Sequence, residues 1–549
     1  MITVKTISAL EKCFFDEDIN TKKEYKQGSV LKNDRLSYQV CFSSDEELEG
    51  GRIICRVEVN SEIVDCVTVS SVHNVPSLMP VFRQWNDDNY LRKEPGMFPD
   101  LLIPLRDNPN AYIASNQLQA LWVDINIPES FKAGDYKVNI ILKNKDNEVM
   151  GESEFTVTVL NTVLPPQKLI YTQWLHCDCL ANYYRVPAFS DEHWRIIRNF
   201  VRTAVQNGIN MILTPVFTPA LDTAVGHERL TTQLVKIKKD ADGYSFDFTL
   251  LEKWIDMCLE EGVKYFEIAH FFTQWGAKHA PKIIVEVDGA EEKLFGWETD
   301  ACGEEYTKFL NAFIPALRNY LEEKGVADNC VYHISDEPSA AQIDDYTNAK
   351  KSVEKALAGC TIIDALSNFE FFSKGLVDTP VVATDHIQPF IDAEVSNLWA
   401  YYCCGECVNV SNRFISMPSA RNRIIGIQLF RYAIQGFLHW GYNFYNNQYS
   451  IAPIDPYRTT DGEFFAPSGD TFSVYPAPDG TAYETIHIAV FTQALRDLRA
   501  MEALAEKIGR DEVYKLIDDR AGKLITFAEY PKNDEFILEL REEINKLLG

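Results

Sequence analysis

From residue 168 onward, short apolar runs alternate with long amphipathic segments, and the alternation repeats eight times. The runs fall at 169–176, 210–217, 265–272, 331–335, 361–367, 381–386, 398–403 and 437–444. Helical segments follow at 191–208, 249–262, 304–325, 340–358, 418–434 and 484–508, with shorter ones near 369–374 and 389–395. Ser190 suits an N-cap, and Gly208, Gly262 and Gly359 suit helix stops. Alternating strands and helices demand a parallel α/β fold, and eight units favour a (β/α)8 barrel of the TIM type over 166–510. The alternative is an open doubly wound sheet. The chain lacks the glycine-rich phosphate loops that accompany many such sheets. Residues 231–248, with Asp240-Ala241-Asp242-Gly243, read as a hairpin inserted after the second strand.

The flanking regions differ. Residues 1–165 carry short alternating runs separated by turn signals such as Lys132-Ala133-Gly134-Asp135, which predicts a β-sandwich. Pro165-Pro166 marks its end. Residues 511–549 are charged and helical and read as a short C-terminal appendage. The expected fold class is therefore multidomain: an N-terminal β-sandwich, a (β/α)8 barrel and a helical tail.

Charge limits the partners. The 80 acidic and 53 basic side chains give a net charge of −27, with no basic run, which argues against nucleic acid and anionic membrane surfaces. No apolar stretch is long enough to insert into a membrane. The first residues show no basic-then-apolar leader, so a cytoplasmic location is expected, although a chain trimmed of its leader would read the same. Thirteen cysteines, an odd and scattered set, read as reduced thiols. No cofactor is expected, and a homodimer is left open.

Barrels of this type place their sites at the C-terminal ends of the strands. Those ends supply Trp174 and Asp178, then Trp275, then Asp336-Glu337-Pro338, then Asn368, then Asp385-His386, then Tyr401-Tyr402, then Trp440 and Asn443. Asp470 follows in a long loop. Aromatics interleaved with carboxylates and amides suit a sugar ring, whose C–H face stacks and whose hydroxyls need donors and acceptors. His270 and His333 lie in apolar strands and read as satisfied core histidines.

Asp336-Glu337-Pro338 is the sharpest element. Two carboxylates this close push one pKa upward, as a general acid near neutral pH requires. Residues adjacent in a strand point to opposite faces, so both reach one site only where the strand breaks up, and Pro338 favours a break there. Ordinary glycosidases straddle the scissile bond with two carboxylates about 5–9.5 Å apart. Neighbours on one strand suit a different arrangement, in which a substrate's own 2-acetamido oxygen attacks. Glu337 would protonate the leaving oxygen, and Asp336 would hold the acetamido N–H.

The sequence resembles glycoside hydrolase family 123 and the broader set called domain of unknown function 4091. The resemblance rests on Trp174, Asp336-Glu337-Pro338, the run from Trp399 to Cys403, Arg423 with Arg431-Tyr432, the run from Gly436 to Gly441, and Gly469-Asp470 with Val474-Tyr475-Pro476. It covers most of residues 168–510. It implies a metal-free, retaining β-N-acetylgalactosaminidase working by substrate assistance on a glycan or glycoconjugate with a terminal 2-acetamido sugar. Asp336 then matches the acetamido-orienting residue and Glu337 the acid/base, while Tyr401 or Tyr402 matches a tyrosine on the acetamido oxygen. Trp174 and Trp440 match sugar-stacking positions.

Four other readings compete. A non-catalytic carbohydrate-binding protein, or a glycosidase for another sugar such as β-linked N-acetylglucosamine, would share most of these features. A metal enzyme could draw on His176, Cys177, Asp178, Cys179 and Cys403-Cys404-Gly405-Glu406-Cys407, but no paired Cys-x-x-Cys or His-Glu-x-x-His motif occurs. A serine hydrolase lacks its Gly-x-Ser-x-Gly elbow.

Overall fold

The computed structural model describes residues 2–549. Residues up to Val163 form two five-stranded sheets. The first runs Ile2–Ser8, Asp34–Ser44, Gln119–Ile127, Val67–Ser77 and Gly96–Pro104 from edge to edge. The second runs Gln27–Lys32, Val149–Val163, Gly134–Lys143, Arg52–Asn60 and Asn110–Ala114. Period-two patterning turns Tyr38, Val40 and Phe42 of the first sheet toward Phe155, Val157 and Val159 of the second, in one apolar cluster. Tyr38 stacks on Phe155 with ring centroids 4.1 Å apart.

Eight parallel strands then close into a barrel: Ile170–Gln173, Met211–Thr214, Tyr265–Ile268, Cys330–Tyr332, Thr361–Leu366, Thr379–Ala383, Trp399–Tyr401 and Gly436–His439. The last strand pairs with the first, Ile170 opposite Gly436. Inside sit Met211, Leu213, Ala269, Ile363, Ala365, Val381, Ala383, Trp399 and Leu438. Gly436 is required by close approach, since a Cβ there would lie 2.0 Å from the Trp399 ring.

The structure corrects the regular (β/α)8 barrel expected from the alternation. The barrel strands are closed and parallel, but the helical ring around them is incomplete. Only single turns, Phe369–Ser373 and Gln388–Asp392, follow the fifth and sixth strands. Gly375 and Glu394, both at positive φ, turn the chain back toward the next strand before a longer helix can form. The segment after the seventh strand is two short buried helices, Ser419–Arg423 and Ile425–Arg431. The hairpin Lys236–Asp240 and Gly243–Asp247 belongs to a four-stranded sheet completed by Ile283–Val287 and Ala290–Phe295.

The C-terminal tail packs beside the barrel. Val513, Ile517, Phe536, Ile537, Leu540 and Ile544 join the apolar cluster that holds the barrel's outer helices, and Phe98, Leu101 and Trp122 of the N-terminal sheets join it too. Polar ties reinforce the joint. Arg541 spans Asp34 of the first sheet at 2.5 Å and Asp497 of helix Ile486–Ile508 at 2.8 Å. The tail's charged residues masked this role, because its helices bury only one stripe each. Among the described residues no helix is long and apolar enough to cross a membrane, and all thirteen cysteines are unpaired.

Candidate active site

The fourth barrel strand stops at Tyr332, and the next residues are held without regular pairing. Ser335 donates its hydroxyl to the Thr273 carbonyl at 2.8 Å. The Asp336 carbonyl accepts from Trp275 N–H at 2.9 Å, and Glu337 N–H donates to Ala365 of the fifth strand at 3.1 Å. Glu337 sits at φ +41°, a left-handed conformation that costs a non-glycine residue about 1–2 kcal/mol. That turn breaks the strand alternation, so the side chains of two neighbours need not face opposite ways. The strained loop opposite, Trp275-Gly276-Ala277, is also at positive φ throughout and bonds to Gln342 through the Trp275 carbonyl.

Glu337 opens into a cleft of about 660 Å³ shared with Ser367, Asn368, His386, Tyr401, Cys403 and Glu406. The Tyr401 phenol donates to Glu337 Oε1 at 2.7 Å and lies 3.4 Å from Ser367 Oγ. The Asp336 carboxyl is half-buried and has no hydrogen-bond partner among the described residues. Burial, and then the charge of Glu337, push Asp336 well above the usual carboxylate range. Burial also raises Glu337, against the lowering effect of the Tyr401 hydroxyl. Two such groups share protons as a pair. Burial pushes a third carboxyl, Glu406, up to about 8, with Asp385 adding to it. Glu406 is fixed by the Cys403 N–H at 2.6 Å.

This geometry can deliver a proton to a substrate oxygen beside a second, unengaged carboxyl. The model of the glycoside hydrolase 123 catalytic domain matches residues 174–504, which contain every one of these groups. The chain belongs to glycoside hydrolase family 123.

Solved structures share the fold to different degrees. A family 123 glycoside hydrolase from Clostridium perfringens, studied for glycolipid glycan hydrolysis, is similar over 100% of this chain and 99% of its own, at 16% identity and a TM-score of 0.76. An endo-β-1,4-mannanase from Thermotoga petrophila aligns over 61% of this chain and 77% of its own, at 10% identity and a TM-score of only 0.33. No curated protein matches the sequence.

In this family 123 enzyme the residues singled out from the sequence separate into three groups. Glu337, Asn368, His386 and Tyr401 share the cleft, Asp336 adjoins it, and Asp385 pairs with His386 at 2.5 Å. Trp275 stands at the surface, edge-on to Tyr449. The others are buried, except Trp440, which is partly buried. Trp174 is 2% exposed and donates its indole N–H to Glu267 at 2.7 Å. Asp178 is locked to Arg229 at 2.6 Å, and Asn443 brackets the backbone of His176. Tyr402 turns out of the barrel, edge-on to Phe437. Trp440 donates to Asp470 at 3.0 Å, and burial pushes Asp470 up to about 7.

Sequence reasoning offered Glu406 only as a possible metal ligand and passed over Glu267 and Asp364. The last two interrupt otherwise apolar strands, Tyr-Phe-Glu-Ile and Thr-Ile-Ile-Asp-Ala-Leu, and a lone acid in such a strand was the available signal. For a metal, one trio among the described residues, His270, His333 and Asp364, is close enough to share an ion. The two imidazoles stack, with centroids 4.1 Å apart and planes at 19°. Ring nitrogens bind metals in the ring plane, so stacked rings do not converge on one ion. The candidate ligands His176 and Asp178 are both occupied by Arg229.

Proposed function

We propose that this family 123 hydrolase releases terminal β-linked N-acetylgalactosamine from a glycan or glycoconjugate, with retention, by substrate assistance. The observation that carries this reading is the adjacent pair itself: Glu337 in a cleft, bonded to Tyr401, with Asp336 beside it and free of partners. In the first step Glu337 gives its proton to the glycosidic oxygen as the C1–O bond breaks. The 2-acetamido oxygen attacks C1, forming an oxazolinium. Asp336 accepts the acetamido N–H and balances the developing positive charge, and Tyr401 donates to the acetamido oxygen. Glu337, now ionised, then takes a proton from the water that opens the ring at C1. Proximity supplies much of the rate, because the nucleophile arrives with the substrate.

Glu406 is the other carboxyl in the cleft and would be the partner in a conventional two-carboxylate mechanism. Its pKa of about 8 keeps it protonated near neutrality, which suits a hydrogen-bond donor to the sugar and not a nucleophile or base.

The test is a chromogenic panel of β-N-acetylgalactosaminide, β-N-acetylglucosaminide and plain β-galactoside. Hydrolysis of the N-acetylgalactosaminide alone supports the reading. Comparable turnover of the plain galactoside contradicts the mechanism, and preference for the glucosaminide contradicts the sugar.

A further inference from the structure

Two aromatic rings stand in solvent at the mouth of the barrel, beside the carboxyl pair but outside its cleft. Trp275 follows the third barrel strand and is 38% exposed, and Tyr449 follows the eighth and is 40% exposed. Their centroids lie 5.8 Å apart and their planes meet at 87°, so together they form an open corner. Single exposed aromatics need no explanation, whereas two in contact from separate loops make a patch. The backbone that carries them is costly. Asp222, Trp275, Ala277, Tyr449 and Ser450 all sit at positive φ, between +40° and +61°. Bonds between three loops hold this arrangement. Tyr449 N–H donates to the Asp222 carboxylate and the Ser450 hydroxyl to the Asp222 carbonyl, each at 2.8 Å. Asp222 N–H donates to the Gln274 side chain. Trp275 N–H donates to the carbonyl of Asp336 at 2.9 Å, which ties the corner directly to the carboxyl pair. Gln342 donates to the Trp275 carbonyl, and Gly276 makes room for it, since a Cβ there would lie 2.8 Å from the Gln342 side chain. Strained backbone thus presents two apolar rings to water, where folding gains nothing from them.

We propose that Trp275 and Tyr449 form an aglycone subsite, which stacks the pyranose on the reducing side of the bond being cut. The eight strands close in chain order, so the fourth, which leads into Asp336-Glu337, stands between the third and the fifth. The cleft draws Ser367 and Asn368 from beyond the fifth strand, His386 from beyond the sixth and Tyr401 from the seventh. The corner draws on the loops after the third and eighth strands, joined through Asp222 after the second. A glycan lying across Glu337 with its terminal sugar in the cleft therefore passes its remaining sugars toward the corner. The C–H face of a pyranose suits one ring and its edge the other. A monosaccharide glycoside fills the cleft alone, so the corner makes oligosaccharides the better substrates.

The subsite rests on the proposed cleavage at Glu337, and two measurements keep their failures apart. The first compares β-N-acetylgalactosaminyl lactose with β-N-acetylgalactosaminyl azide, whose leaving group has no ring to stack. Trp275→Ala and Tyr449→Ala should each lower kcat/KM about tenfold for the trisaccharide and stay within about twofold of wild type for the azide. Trp275→Phe, which keeps a smaller aromatic face, should recover part of the loss. Both side chains are exposed, so Tm should hold in every variant. Equal losses on the two substrates, or no loss on the trisaccharide, overturn the subsite. The second measurement needs no cleavage. In protein labelled with 15N-tryptophan, the indole signal that disappears in Trp275→Phe should shift when lactose is titrated, and the shift should weaken in Tyr449→Ala. A signal that lactose leaves in place overturns the subsite. If wild-type enzyme cleaves neither substrate while lactose still moves that signal, the choice of amino sugar fails and the subsite stands.

Discussion

Tyr401 ends the seventh barrel strand and Tyr402 follows it, with opposite surroundings. Tyr401 donates its hydroxyl to Glu337 at 2.7 Å inside the cleft. Tyr402 packs outside the barrel against Phe437 and Phe491, its hydroxyl 3.5 Å from Asn422. Strand pleating alone produces this split. Tyr401→Phe should lower kcat/KM by about 10²-fold, the scale of one lost transition-state donor. It should also shift the basic limb of the pH–rate profile upward, because the lost bond was lowering the Glu337 pKa. Tyr402→Phe should stay within about twofold of wild type, as for other substitutions away from the reacting atoms. Initial-rate pH profiles of both variants check this.

The two carboxyls should fail differently. Glu337→Gln should slow substrates with poor leaving groups by about 10³-fold or more while sparing activated aryl glycosides, since only the former need a proton. Asp336→Asn should slow both by similar factors. A Brønsted plot of kcat/KM against leaving-group pKa reads the difference as a steeper slope for Glu337→Gln alone.

Glu406 offers a pH signature. A buried carboxyl at about 8, against 4.5 ordinarily, costs the fold increasing stability as pH rises from about 4.5 toward about 8. Glu406→Gln removes that cost, so its Tm should equal or exceed that of wild type at pH 8 and the gap should close at pH 4.5. Near pH 6–7 the variant should keep most of its activity, because the wild-type group is already neutral there. Thermal melts across pH 4.5–8 provide the check.

The joint between tail, barrel and N-terminal sheets makes a separate prediction. Burial would raise the Asp34 carboxyl, but Arg541 and Arg496 outweigh it and hold the group below its ordinary value. A lowered carboxyl stabilises the fold above its unfolded pKa of about 3.8, and that contribution is lost as pH falls through the folded value. Asp34→Asn leaves Arg541 half-paired in a buried site and should cost about 3–5 kcal/mol at pH 7. Urea midpoints should converge with wild type toward pH 3.

The division between what could and could not be read from residue order follows the range of the interactions. Eight strand positions and the Asp336-Glu337-Pro338 break are local patterns, and the strands fall where those patterns sit. The helical ring depended on how far each connection had to travel. At 369–373 and 388–392 the chain turns back after one helical turn, which hydrophobic periodicity does not register. Trp174, Asp178 and Asn443 sit near strand ends as expected, yet their partners Glu267, Arg229 and His176 come from other segments and draw them into supporting positions. His333 shows the same limit. It follows an apolar strand, and only the convergence of Glu267 and Asp364 from two other strands gives this core histidine a buried carboxyl at each ring nitrogen.

If the substrate's acetamido oxygen is the nucleophile, fluorinating that group must slow the reaction. In a series of aryl β-N-acetylgalactosaminides carrying CH3, CH2F, CHF2 and CF3 on the acyl carbon, log kcat/KM should fall steeply and linearly as fluorine withdraws electrons from the attacking oxygen. A flat series, with the trifluoroacetyl substrate hydrolysed as fast as the parent, would contradict it.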